Sequence, residues 1–282
     1  MNSEGAARTA RSDHSLRVLY LSQYFPPEMG APAARVHECA REWARAGLDV
    51  AVLTGMPHHP TGVVPEKYRG RFYMREDVDG IEVHRAYVYA TPNRGVYRRA
   101  WSYFTFMLCA IFTGLFRVRR PDVLIATSPQ LLAGVAGWVI AALRRIPFVL
   151  EVRDLWPESI EAVGAFRNRF VLRCLYAVAN FLYARARHIV LVSEESRRVL
   201  EERGIPAEKM SVIKNGVDLA LFHPGAANGA VRERHDLDGD FVVLYIGTIG
   251  MAHGLEVVLD AARRLNPQER VRFLLVGEGA RK

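Results

Sequence analysis

Residues able to do chemistry gather at a few points in this chain. The densest group is Glu151-Val152-Arg153-Asp154-Leu155-Trp156-Pro157-Glu158-Ser159, four charges around a tryptophan at the end of an apolar, β-type run. Charges that leave a buried strand at its C-terminal end either pair for structural reasons or line a site at the rim of a parallel sheet, and position alone leaves both open. Upstream, the stretch from Gln23 to Gly30-Ala31 leads from an apolar run into a helix-period segment. A glycine before a helix N-terminus presents free N–H groups and a positive dipole end to an anion such as a diphosphate. The plainer reading is an ordinary turn stiffened by Pro26 and Pro27, since no GxGxxG is present. His58 and His59 are adjacent in the loop from Gly55 to Gly62. Neighbouring residues seldom face one metal ion, and no carboxylate or cysteine is suitably spaced, so no metal is expected. A loop facing a substrate and a plain surface loop both fit. Lys214-Asn215-Gly216-Val217-Asp218 reads as a tight turn suited to positive φ. Near the end, Gly247-Thr248-Ile249-Gly250 with His253, and Gly277 with Gly279, each follow an apolar run. Two such turns side by side would line one phosphate-binding crevice, although either alone passes for an ordinary glycine turn.

These groups need elements to hold them. Strands are expected at 17–22, 49–54, 72–76, 81–89, 122–127, 147–152, 188–192 and 210–214, then at 241–246 and 271–276. Helices are expected at 32–46, 98–118, 130–143, 168–187, 194–203 and 254–265. In the first helix Val36, Cys39, Ala40 and Trp43 fall at i, i+3, i+4 and i+7, with Gly47 where a C-cap belongs. Val78-Asp79-Gly80 is a hairpin signal. The stretch 215–239 is poor in periodicity and contains Pro224, Gly225 and Gly229, so a domain linker belongs there. Strands alternating with helices mean doubly wound parallel sheets, whose ligands sit beyond the C-terminal strand ends. The expected division is a disordered tail at 1–15, a Rossmann-like domain at 16–218 with a seven-stranded sheet, and the start of a second domain at 219–282. The strand ends at Ser22, Thr127 and Val152 should share one crevice.

Composition narrows the partners. The 282 residues are half hydrophobic and about a quarter charged, a globular balance, with 38 basic against 30 acidic residues for a net charge of +8. That surface favours anionic partners. Nucleic acid is not expected, because neither stacking aromatics nor a recognition-helix pattern accompanies the charge. Cys39, Cys109 and Cys174 are far apart and odd in number, which fits a reducing cytosol rather than a disulfide framework. The N-terminus lacks an apolar stretch of secretory type. The run 123–143 reads as strand, turn and buried helix, being interrupted by Ser128-Pro129-Gln130. The uncharged run 101–116, short of the roughly 20 residues a spanning helix needs, lies between Arg98, Arg99 and Arg117, Arg119, Arg120. Core packing is the plainer reading, and peripheral attachment to an anionic membrane surface is the alternative.

Taken in order, these segments resemble glycosyltransferase family 4, the retaining GT-B group, from about Leu16 to the end of the chain. The stretch 23–30 is similar to the family's loop after the first strand, and 214–218 with Phe222 to its interdomain signature. The turns at 247–254 and 276–279 are similar to the family's donor-domain turns. Residues 56–62, 151–157 and 247–250 resemble the branch that builds colanic acid, O-antigen and related capsule polysaccharides. The resemblance implies an α/β fold of GT-B type with two Rossmann-like doubly wound parallel sheets, the second incomplete. It implies a UDP- or GDP-sugar donor held between an acceptor-side and a donor-side domain, a polyprenyl-diphosphate-linked saccharide acceptor, retention of configuration, and neither cofactor nor metal. By the same resemblance Gly30, Gly247, Thr248, Gly250, His253, Gly277 and Gly279 face the donor phosphates. Arg153 supplies a cation, Asp154 or Glu151 orients acceptor hydroxyls, and His58, His59 and Trp156 lie on the acceptor side. Thr248 and His253 stand where many members carry Arg and Lys.

Two functional classes follow: a transferase at the cytoplasmic face of the inner membrane, or a non-catalytic acceptor-domain binding module. The family's paired-glutamate region is expected beyond residue 282, so the donor domain is expected to be cut short and the chain to have little turnover alone.

Overall fold

The computed structural model describes residues 15–59, 61–92, 95–128, 130–158, 161, 168–219, 222–225, 229–250, 253–265, 270–277 and 279. The expected tail lies almost wholly outside these residues. Compact units divide at 216/217: residues 1–160 with 166–216, and 161–165 with 217–282.

The first unit is built on strands β1 (Arg17–Leu21), β2 (Asp49–Gly55), β3 (Tyr73–Val78), β4 (Ile81–Ala86), β5 (Val123–Thr127), β6 (Phe148–Val152), β7 (His188–Leu191) and β8 (Met210–Val212). They form one sheet in the order β3-β4-β2-β1-β5-β6-β7-β8. The sheet therefore has eight strands, not seven. All eight were read as strands from the sequence; β3 pairs antiparallel with β4 at the edge, while every other pairing is parallel. Asp79 and Gly80 between them have φ of 53° and 80°, as a tight two-residue hairpin turn requires. The strand expected to reach residue 89 ends at Ala86.

Helices α1 (Ala31–Arg45), α2 (Val96–Phe116), α3 (Leu131–Arg144), α4 (Arg169–Arg185) and α5 (Glu194–Glu202) connect the strands. Alternation along each strand decides which helix it meets. Leu19, Leu21, Ala51 and Leu53 join Phe106 of α2, Ile140 of α3, Leu182 of α4 and Leu200 of α5 in one core. Tyr20, Val50 and Val52 face the other way, onto Val36 and Ala40 of α1. Central strands buried on both faces read as continuous apolar runs, which is why they were legible. The run 123–143 resolves into β5 and α3, as expected. Close approach of α3 depends on Gly137, where a Cβ would come to 2.7 Å from the Ala126 Cβ.

In the second unit the stretch read as an unperiodic linker contains a short helix, α6 (Ala230–Arg234). Beyond it, β9 (Phe241–Ile246) and β10 (Val271–Val276) pair in parallel with α7 (Glu256–Arg264) between them in sequence.

Candidate active site

The order β2-β1-β5-β6 sets the ends of four parallel strands side by side, so Ser22, Thr127 and Val152 open onto one edge of the sheet. Gly30 and Arg153 belong to loops on that same edge. Gly30 caps α1 with φ 135°, a backbone region that L side chains rarely adopt.

The loop after β1 is clamped from two directions. Glu28, 7% exposed, accepts hydrogen bonds from the backbone N–H groups of His58 (2.9 Å) and His59 (2.8 Å) at one carboxylate oxygen. Its other oxygen accepts a longer one from Phe25 N–H at 3.4 Å. Arg85 of β4, wholly buried, pairs with Glu76, donates to the Pro26 carbonyl and lies over the Tyr68 ring. Burial pushes the Glu28 pKa up to about 7, against the opposing pull of the three amides.

His58 is buried too, so the loop is not a plain surface loop. Its Nδ1 lies 3.0 Å from the Met56 carbonyl, which makes Nδ1–H the donor. Burial lowers the His58 pKa, so the ring is neutral and Nε2 carries the lone pair. His59 is half-buried with its ring 4.9 Å from that of Tyr24. The N-terminal part of α2 closes this corner: Arg99 donates to the Tyr103 hydroxyl at 3.0 Å, and Tyr103 bonds Tyr24, whose hydroxyl pKa is raised by burial first and by Tyr103 second.

Glu28 gives a prediction. A carboxyl whose folded pKa lies above its unfolded value binds protons more tightly when folded, so its contribution to stability is complete below about pH 4.5 and lost as pH rises toward 7. Each pK unit corresponds to about 1.4 kcal/mol. Glu28→Gln keeps the acceptor oxygen and removes the titration. The stability of Glu28→Gln relative to wild type should therefore rise by roughly 3 kcal/mol between pH 4 and pH 8 in urea unfolding. The histidines titrate in both proteins and largely cancel in that difference.

The cluster after β6 separates. Glu151, grouped above with Arg153 and Asp154, turns into the protein, 4% exposed. One of its oxygens accepts from Arg35 Nε at 2.9 Å and Nη2 at 2.8 Å, the other from the Tyr20 hydroxyl at 2.6 Å. Arg35 continues through Nη1 to Asn215 Oδ1 at 2.9 Å, so the turn at 214–216 is tied to α1. Burial alone would lower the Arg35 pKa, but the Glu151 carboxylate outweighs it and holds it up. Glu151 thus holds elements together, which leaves Asp154 as the exposed carboxylate at the rim. Arg153 is half-buried with its backbone N–H on Ser128 Oγ at 2.9 Å and its Nη1 buried without a partner among the described residues. Trp156 is half-buried beside a recess lined also by Ser128, Gln130, Asp154 and Tyr183. Glu158 pairs with Arg203, which caps the C-terminus of α5. Ser159 lies outside the described residues.

Sequence reasoning missed several of these groups. Arg35 sits on the first helix beside an otherwise apolar stripe, and a carboxylate inside the strand at 148–152 demands a buried partner. Those two signals were readable. Gln23 and Gln130 are 3% and 5% exposed, follow β1 and β5, and have side-chain amides without a partner among the described residues.

In the second unit the two glycine turns meet. Gly247 N–H donates to the Val276 carbonyl at 3.0 Å. A Cβ on Gly277 would overlap the Gly247 carbonyl, and one on Gly279 the Ile249 carbonyl, so backbone approach demands glycine at both. The Tyr245 hydroxyl donates to the Thr248 carbonyl at 2.8 Å, and His253 N–H to the Gly250 carbonyl at 3.2 Å.

A glycosyl transferase 4-like domain matches residues 30–216, the stretch that carries every feature of the first unit's rim from Gly30 to Gly216. The chain belongs to this glycosyltransferase family. It is similar to the putative colanic acid biosynthesis glycosyl transferase WcaI of Escherichia coli, 26% identical over 274 residues, covering 95% of this chain and 67% of that protein. It is also similar to a GDP-mannose-dependent alpha-mannosyltransferase of Mycobacterium tuberculosis, 25% identical, covering 94% of this chain and 63% of that protein. Anabaena HepE, solved with UDP-glucose, matches at a TM-score of 0.62 and 18% identity, over 93% of this chain and 61% of that one. The fold is GT-B, and the chain spans about two thirds of the length of these relatives.

Proposed function

We propose that this chain takes part in retaining transfer of a hexosyl group from a UDP- or GDP-sugar to a polyprenyl-diphosphate-linked saccharide, in the synthesis of cell-surface polysaccharide. The observation that carries the reading is the family match over residues 30–216 together with Arg153 and Asp154 at the open strand edge. The colanic acid role of WcaI, the GDP-mannose dependence of the mannosyltransferase and the UDP-glucose held by HepE support the substrate classes.

In the transfer, the bond from the anomeric carbon to the diphosphate breaks, a bond from an acceptor hydroxyl oxygen to that carbon forms, and the hydroxyl's proton passes to the departing diphosphate. Negative charge develops on the departing diphosphate, so fixed positive charge and preorganised N–H dipoles lower the barrier most. Arg153 supplies the charge. Gly30, at the start of α1 on the same edge, offers N–H groups. Asp154 accepts hydrogen bonds from the acceptor's hydroxyls and orients them. His58, held neutral, and His59 with Trp156 line the acceptor side, with Glu28 fixing the two histidines through their backbone.

A panel of UDP- and GDP-sugars with a polyprenyl-diphosphate-linked acceptor tests this. Any product formed should be accompanied by release of nucleoside diphosphate and should retain the anomeric configuration, read by NMR. An inverted product would refute the retaining reading, and donor binding without any transfer would favour a binding module.

A further inference from the structure

Helix α2 has two apolar faces and packs only one of them. Ser102, Phe106, Ala110 and Thr113 are at most 3% exposed, turned toward α3 and strands β2 and β4. The other face carries Tyr97, Trp101, Phe104, Leu108, Phe112 and Phe116, spaced by three or four residues and from 38% to 90% exposed. At 1.5 Å per residue the stripe runs for about 28 Å. Its aromatic side chains pack on one another, Trp101 with Phe104 at 5.5 Å and Phe112 with Phe116 at 4.9 Å between ring centroids. A continuous exposed apolar surface of this length on a folded protein marks an interaction face.

Charge identifies the occupant. Arg98 and Arg99 flank the stripe at one end and Arg117, Arg119 and Arg120 at the other, and no acidic residue occurs between Glu82 and Asp122. A second copy docking on the same face would bring two sets of five arginines together, since a two-fold interface uses the same patch twice. An anionic lipid surface has the opposite charge and accepts the aromatic stripe at headgroup level.

We propose that α2 lies in the plane of an anionic bilayer, with the stripe from Tyr97 to Phe116 buried among headgroups and upper acyl chains and the arginines on the phosphates. By length and composition the helix is also a candidate to cross a membrane. Spanning would require its Phe106–Ala110 face to leave the core of the first unit, so the helix lies on the bilayer and does not cross it. Its first turns carry Arg99 and Tyr103 to the corner formed by Tyr24 and His59, so docking holds that corner near the headgroups. This last consequence, unlike docking itself, rests on the acceptor assigned under the proposed function.

Flotation of the full chain with vesicles of phosphatidylcholine, with and without phosphatidylglycerol, tests the proposal. The chain should float with the anionic vesicles, less so as salt is added. Phe112→Ser/Phe116→Ser and, separately, Arg119→Glu/Arg120→Glu should each lower that binding by about tenfold or more, at roughly 1 kcal/mol per basic residue at the surface. All of the substituted positions are exposed, and circular dichroism confirms that each variant is folded. Equal binding to both vesicle types, or anionic binding that survives the arginine reversal, overturns the proposal. So does a chain that binds neither and instead forms a dimer that Phe112→Ser/Phe116→Ser dissociates. The vesicle readout needs no transferase activity, so failure here and failure of the proposed function are distinguishable.

Discussion

Glu151→Ala should cost the first unit about 3–5 kcal/mol of stability, the range for removing one member of a buried ion pair. The carboxylate is the shared acceptor for Arg35 and the Tyr20 hydroxyl, and both partners are buried. Removing it takes the carboxylate from a buried guanidinium and leaves a buried phenol without its acceptor, in a place that water scarcely reaches. The guanidinium would retain Asn215 and the longer contact to the Ile213 carbonyl, which sets the loss nearer the lower end. Glu151→Leu combined with Arg35→Met replaces charge by apolar volume on both sides, and such exchanges are often neutral. Urea unfolding should therefore place the double variant well above Glu151→Ala. If the two lose equal stability, the pair does not act as a unit. Turnover of the folded fraction should fall little with Glu151→Gln, because Glu151 reaches the rim only through Arg35.

Arg153→Ala should do the reverse, leaving stability nearly intact and lowering turnover by about 10²–10³, the usual loss for one preorganised group at a developing negative charge. The side chain is half-exposed at the strand edge and its Nη1 has no partner among the described residues, so folding depends on it weakly. Its backbone N–H on Ser128 Oγ survives the substitution and keeps the loop in place. The assay is kcat with a saturating nucleotide sugar, with KM measured in parallel. A fall in kcat with Arg153→Lys restoring part of it supports a charge at the leaving group. A change confined to KM for the acceptor would move Arg153 to the acceptor side.

The same two residues show how far the sequence could be read. Four charges after an apolar run announced a special strand end, and three of them, Arg153, Asp154 and Glu158, do lie beyond it. Glu151 lies inside the strand and Asp154 beyond it, which was readable, but nothing local named the partner that holds Glu151 inward, because that partner is Arg35, 116 residues away in sequence. Glu28 was hidden for another reason. Its partners are backbone N–H groups of the histidine loop, and every residue but proline offers one, so no residue type signals the contact. Helix α2 was ambiguous because an uncharged apolar stretch looks alike whether it faces a core or a lipid surface.

By itself the sequence determined the alternation of strands and helices, the parallel sheet, the hairpin at Asp79-Gly80 and the edge on which a site must lie. These are set by periods of two and 3.6 residues and by turn chemistry, all of which act within a few residues. The tertiary structure alone decided which partner holds Glu151 inward, that Glu28 holds both histidines, that Gly277 and Gly279 abut the turn after β9, and which face of α2 stays bare. Each of these depends on segments far apart in the chain being brought together by crossovers, and the desolvation and close contact that follow exist only once the sheet has assembled.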